Sequence, residues 1–207
     1  NIKMKTYLID ALDIDIFISL NNGNLVDIFK SKDKKIIEKI DPNSESKSIF
    51  YKNINTSDVD KIYLYKSIIT AYYNYKKYLM DDNILIDYSY IWDLICKPND
   101  KLFPEGINLI ILEVVNNDIT NNVNVICPKQ NYSSENIDIN KKCFILIKQN
   151  NIYEPIYLIE NTKLVYSTVK LFNFNIGNNN LKNFKKVLNI IRIHINTYCK
   201  IKNHNTV

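Results

Sequence analysis

The chain has 207 residues, 46% of them hydrophobic and 24% charged, with a formal net charge of +5. That length suits one domain, or one with a small appendage, and buries roughly 70% of the unfolded surface, which with this composition excludes wholesale disorder despite the abundance of Asn. No apolar run approaches the roughly 18 residues of a membrane span, and the first residues lack a signal peptide's charged and apolar regions, so a soluble, intracellular protein without membrane contact is expected. Ile, Asn, Lys and Tyr dominate, while Gly numbers three and Arg192 is the only arginine. This is the usage of A+T-rich coding, so Lys in place of Arg carries little chemical meaning by itself. The chain opens on Asn and stops just after a helical pattern, as expected of a piece of a longer polypeptide.

In chain order, the alternation Asp13-Ile14-Asp15-Ile16-Phe17-Ile18, followed by Asn21-Asn22-Gly23-Asn24 and then Leu25–Phe29, predicts a hairpin. A charged surface segment follows, with a turn at Asp41-Pro42-Asn43-Ser44. These parts make residues 1–56 an N-terminal hairpin plus charged segment, and residues 57–207 the core domain. Ser57-x-x-Asp60 resembles a capping box, and the stretch to Asp82 contains neither Gly nor Pro. Its Ile62, Tyr65, Ile68, Ile69, Tyr72, Tyr75 and Leu79 share a broad arc, which predicts a mostly buried, Tyr-rich helix. A short helix near Tyr88–Cys96 ends before Pro98.

Strands are predicted over Ile107–Val115 and Val123–Cys127. A hairpin over Cys143–Lys148 and Ile152–Ile159 comes next, with Pro155 restricting the second strand to an edge or bulge. A strand near Lys163–Phe172 precedes a last helix over about 180–202. The fold class is α+β: a mainly antiparallel or mixed sheet with hairpins, packed against the Tyr-rich helix and a C-terminal amphipathic helix.

Three groups of residues invite a functional reading. Glu113 sits on an apolar strand face with Ile107, Leu109, Ile111 and Val115, and Glu154 with Ile152, Ile156 and Leu158. Burying either carboxylate unpaired is costly, so each needs a cation, a hydroxyl, a metal or solvent. With Asp93 or Asp118 and Lys148 they would make a divergent Mg²⁺-dependent nuclease, using Glu113, Asp118, Glu154 and Lys148. The Glu-x-Lys triplet of restriction-type nucleases occurs only at Glu45-Ser46-Lys47, in a polar segment. The favoured reading is therefore strand-end or edge carboxylates reaching solvent or a Lys.

The C-terminal helix is more informative. Phe184, Val187, Leu188, Ile191, Ile195 and Tyr198 are expected on one face and Lys182, Lys185, Lys186, Arg192 and Lys200 opposite, with Asn189 and Asn196 between. Residues 181–207 hold six Lys or Arg and no acid, which accounts for the positive excess of the chain. Such a face suits nucleic-acid phosphates or an acidic partner segment, and its bland alternative is a solvated helix surface.

The third group is the cysteines. Cys96, Cys127, Cys143 and Cys199 show no C-x-x-C pair and sit among apolar residues, so small buried thiols in a reducing compartment are expected in place of disulfides or zinc ligands. His194 and His204 lack a partner at metal-ligand spacing. There is no Gly-rich phosphate loop or Gly-x-Ser-x-Gly. No cofactor is called for outside the Mg²⁺ alternative, and no small-molecule ligand is evident.

Tyr90-Ile91-Trp92-Asp93-Leu94, Asn108–Glu113, Asp118-Ile119-Thr120, Ile126-Cys127-Pro128 and Tyr153-Glu154-Pro155-Ile156-Tyr157 resemble a family of long, uncharacterised proteins of nucleocytoplasmic large DNA viruses. The similarity covers about residues 60–165. It implies an internal domain of a large viral polypeptide, located in the infected host-cell cytoplasm or the virion, whose partners are other segments of that polypeptide or other viral proteins. It carries no catalytic signature. The expectation is thus a non-enzymatic structural or interaction module that contacts an acidic partner or nucleic acid through its basic C-terminal helix.

Overall fold

The computed structural model describes residues 2–53, 58–118, 123–128, 137–162, 165–174 and 182–199. The fold is α+β, and the chain divides into two compact units. Unit one takes in residues 1–94 and 99–104, and unit two residues 95–98, 105–130 and 134–207.

Unit one is helical. It contains α1 (Ile2–Asp10), α2 (Ile14–Ser19), α3 (Asn24–Phe29), α4 (Lys34–Glu38), α5 (Ile49–Lys52) and α6 (Val59–Met80), with 3-10 turns at Leu20–Gly23 and Pro42–Glu45. The hairpin expected over residues 13–29 is absent; the same residues form α2 and α3. Asp13 caps α2 by accepting from the Ile16 N–H at 2.7 Å, and Ile14 and Phe17, three residues apart, are buried on one side of it. Asp15 does not alternate out of a strand. Its two oxygens accept from the N–H groups of Ile49 and Phe50 at 2.8 and 2.9 Å and so cap α5. Asn21, Asn22 and Gly23 do adopt the left-handed backbone that Asn-Gly favours, with φ of 49°, 52° and 86°. They use it to turn one helix into the next. The Asn21 N–H donates to the fully buried Asp93 carboxylate at 2.8 Å, and its side-chain amide donates to the Ser89 carbonyl at 2.8 Å.

Helix α6 is the spine of the first unit. Its inner residues Tyr65, Ile69, Tyr72, Tyr75 and Leu79 are buried, and α1 to α4 pack along it. Asp58 caps its start, accepting from the N–H groups of Asp60 and Lys61 at 3.1 and 3.3 Å; Ser57 lies outside the described residues. Thr70 is also buried, its hydroxyl donating back to the Lys66 carbonyl at 2.8 Å. Phe17 fits between Tyr72 and Tyr75, with ring centroids 5.8 and 5.4 Å away. The buried phenols find carbonyl acceptors, Leu12 for Tyr72 at 3.2 Å and Tyr90 for Tyr75 at 2.7 Å. Helix α7 (Tyr88–Cys96) follows as the sequence predicts.

Unit two contains β1 (Asn108–Val114), β2 (Val123–Val125), β3 (Cys143–Gln149), β4 (Ile152–Pro155), β5 (Leu158–Thr162), β6 (Val165–Val169), β7 (Leu171–Phe172) and α8 (Lys182–Tyr198). The main sheet is mixed, in the order β2-β1-β3-β4, with β7 pairing the start of β3. The β1–β3 pair is parallel, and the other pairings are antiparallel. The predicted β3–β4 hairpin is present, turned by Asn150 at φ 54°, and Pro155 ends the edge strand. Strands β5 and β6 make a separate two-stranded sheet. Gly106, at φ +71°, leads into β1 where an added Cβ would lie 2.4 Å from the Cys96 carbonyl oxygen. The buried Asn108 side chain ties residues 138–142 to the sheet, donating to the Asp138 and Lys141 carbonyls at 2.7 and 3.1 Å and accepting from the Asp138 N–H at 3.0 Å.

The expectation of four thiols holds for two. Cys96 and Cys143 are buried and outside any disulfide, whereas Cys127 and Cys199 form a disulfide with a Cα–Cα distance of 5.2 Å. Separations of 72 residues are invisible to spacing rules; the fold brings the two sulfurs together by laying α8 back on the sheet.

Burial pushes the Tyr72 and Tyr75 phenols well above the ordinary tyrosine value, with the charge of Glu45 adding to the effect at Tyr72, and desolvation likewise raises Tyr65 and Tyr78. A folded-state value above the unfolded one stabilises the fold below about pH 10 and is progressively lost above it. A two-phase alkaline titration is therefore expected. Exposed tyrosines ionise first with the helical circular dichroism intact, and the second phenolate phase coincides with its loss. Ionisation of all fifteen tyrosines in one early phase, with the dichroism unchanged, would show that the core is open to hydroxide.

Candidate functional site

Helix α8 is positioned by one narrow strip. Leu188, Ile191 and Ile195 are buried together with Ile110, Cys143, Ile145, Phe172 and Phe174, with Phe184 and Cys199 packed at the margin. At 100° per residue, positions 184, 188, 191 and 195 fall within roughly 60° of arc. The rest of the circumference is left for other work.

What lies outside that strip differs from the expected division into an apolar and a cationic face. Lys182 and Lys186 are exposed, as expected, but so are Val187 (50%), Ile190 (65%), Ile193 (56%) and Tyr198 (73%). Val187 and Tyr198 were expected on the docking face. Lys185 and Arg192 are half-buried on the flank instead of projecting opposite the core. There the Arg192 Nε and the Asn196 Oδ1 are buried with no hydrogen-bond partner among the described residues, and the Asn189 amide donates to the Lys185 carbonyl at 3.1 Å. Lys200 and His204 lie outside the described residues. His194 is exposed, its ring centroid 4.9 Å from that of Tyr198. The outward surface is thus a mixture of the exposed Lys182 and Lys186 with aliphatic and aromatic side chains. The signal for Ile190 and Ile193 was present in Ile190-Ile191-Arg192-Ile193-His194-Ile195, because four isoleucines within six helical residues cannot all face inward.

The carboxylates proposed for the nuclease alternative do not converge. Strand residues alternate faces. Glu113 pairs in register with Lys148, and Lys148 with Tyr153, so these three share one face. Glu154 pairs with Ile147 and therefore belongs to the opposite face, exposed on the edge strand. Lys148 donates to Glu113 in an ion pair whose side chains are 20% and 40% exposed. Asp118 lies beyond β1 in a turn, its N–H donating to the Val115 carbonyl at 3.1 Å. Glu113 thus packs with a lysine, as the favoured reading held, and Mg²⁺ held jointly by Glu113 and Glu154 has no geometric basis. Asp93, the other acid considered, is engaged by the Asn21 backbone in unit one.

Comparison with protein-family models, with curated proteins and with solved structures finds no match to this chain. Among the described residues no helix is long and apolar enough to cross a membrane.

A partly exposed ion pair contributes on the order of 1 kcal/mol or less. Glu113→Gln and Lys148→Met should each lower stability by about that amount, and the double variant by less than the sum of the two, read from denaturant midpoints. Strictly additive losses would show that the pair is not coupled.

Proposed function

We propose that this chain is a non-enzymatic interaction module of a larger viral polypeptide, and that it binds an acidic, amphipathic protein segment along the outward surface of α8. The observation that carries this reading is the interleaving of Lys182 and Lys186 with the exposed Val187, Ile190 and Ile193. A duplex backbone is recognised by clustered cations and polar donors, and its interfaces are strongly positive and polar. Among the described residues of α8, three exposed aliphatic side chains stand beside the exposed Lys182 and Lys186, and water is displaced from them at a profit only by an apolar partner. Carboxylates of that partner meet the lysines, which steer encounter and fix register more than they add affinity. The resemblance of Tyr90–Leu94, Asn108–Glu113 and Tyr153–Tyr157 to long viral proteins is what supports the setting, in which neighbouring segments of the same polypeptide are the natural partners.

The test uses the full chain and three probes: a synthetic helical peptide with Glu on one edge and Leu on the adjoining stripe, a duplex DNA and a single-stranded RNA. Lys182→Glu with Lys186→Glu, and separately Ile190→Ser with Ile193→Ser, should each weaken peptide binding about tenfold or more, with the salt dependence lost in the lysine variant. Nucleic-acid binding that follows the lysines and ignores the isoleucines would replace this reading with a phosphate-contacting one. Peptide binding indifferent to both pairs would reject the surface.

A further inference from the structure

The disulfide joins two lightly held segments of unit two. Strand β2 is three residues long, lies on the sheet edge and is largely exposed; its last described backbone bond is the Ile126 N–H to the Ile111 carbonyl at 2.9 Å, immediately before Cys127. On the helix, Ile195 is the last buried anchor. Beyond it Thr197 and Tyr198 are exposed, and Cys199 is half-buried against the core, its N–H donating to the Ile195 carbonyl at 3.0 Å. The Cys127–Cys199 bond closes a separation of 72 residues between these ends. The sheet centre does not depend on it, because Ile110, Cys143, Ile145, Leu188, Ile191 and Ile195 are buried on their own account. Cys127 is also exposed, so the bond is open to attack from solvent.

We infer that Cys127–Cys199 is a redox clamp: oxidised, it holds the last turn of α8 and the β2 edge in place, and reduction releases those two segments while the rest of the unit stays folded. A dithiol reductant supplies the electrons. One of its thiolates attacks the exposed Cys127 sulfur, forming a mixed disulfide and expelling Cys199 as a thiolate, which takes up a proton. The reductant's second thiolate then displaces Cys127, so the protein ends with two thiols and the reductant with one disulfide. The two remaining cysteines do not compete. Cys143 is buried and its thiol is pushed up to about 12 by desolvation, and Cys96 is buried. Tyr198 of the outward surface belongs to the released end of the helix, so the state of the clamp governs that end of the surface; this consequence rests on the interaction reading above.

The experiment is hydrogen exchange on the full chain, oxidised and after dithiothreitol, with the Cys127→Ser/Cys199→Ser double variant as the permanently open form. Expected is about a tenfold or greater rise in exchange at residues 123–127 and 196–199 in both open forms, with β1, β3 and residues 188–195 unchanged and reversal on reoxidation. Unchanged exchange at the two ends would overturn the proposal, as would loss of protection across the whole unit, since the bond would then be a global structural tie. Four alkylatable thiols in protein isolated and unfolded without reductant would overturn it as well, because the clamp requires only two. Peptide binding measured on the same samples separates the two ideas: local release without any change in binding upholds the clamp and confines the contact to Lys182–Ile193.

Discussion

The structure of the second unit depends on the seating of one helix. Leu188, Ile191 and Ile195 enter the layer formed by Ile110, Cys143, Ile145 and Phe172, and that contact determines which residues of α8 are left to solvent. Side chains of this size contribute roughly 1.5–3 kcal/mol each when fully buried, well beyond what any exposed lysine adds. The orientation of the helix is therefore set by its aliphatic strip, and the placement of Lys182, Lys186, Ile190 and Ile193 follows from it. The same seating brings Cys199 to Cys127, so one packing event produces both the outward surface and the disulfide.

The sheet beneath is organised by the parallel pairing of β1 with β3. Its register puts Glu113 beside Lys148 and, through the antiparallel β4, places Glu154 on the other side. A one-residue slip would reverse every side chain of the strand, so the separation of the two acids is as firmly specified as the burial of Ile110 and Ile145. The lysine answers the cost of the Glu113 carboxylate on its strand face.

Much of this was legible beforehand. Helix α6 announced itself through a long stretch free of Gly and Pro with a wide apolar arc, α7 through its position before Pro98, and the β3–β4 hairpin through its turn and Pro155. These are local signals, and local physics sustains them. Residues 13–29 misled because strict alternation over six residues is also compatible with a helix whose Ile14 and Phe17 face inward, and because the decisive contacts are distant: Asp15 with the start of α5 and Asn21 with Asp93. The disulfide escaped for the same reason. On α8 the positions were predicted but not the width of the buried strip. Val187 was placed on the docking face and Ile190 and Ile193 were assigned to neither face, which hid the three residues that now carry the proposed contact together with the two lysines.

The most direct test of the seating is a methyl NOE measurement on the full chain with Ile and Leu methyls labelled. Contacts from Leu188, Ile191 and Ile195 to the methyls of Ile110 and Ile145 are expected, with Ile190 and Ile193 showing none to the sheet. Contacts from Ile190 or Ile193 to Ile110 or Ile145 would mean that the helix is rotated about its axis, and would contradict both the outward surface and the function built on it.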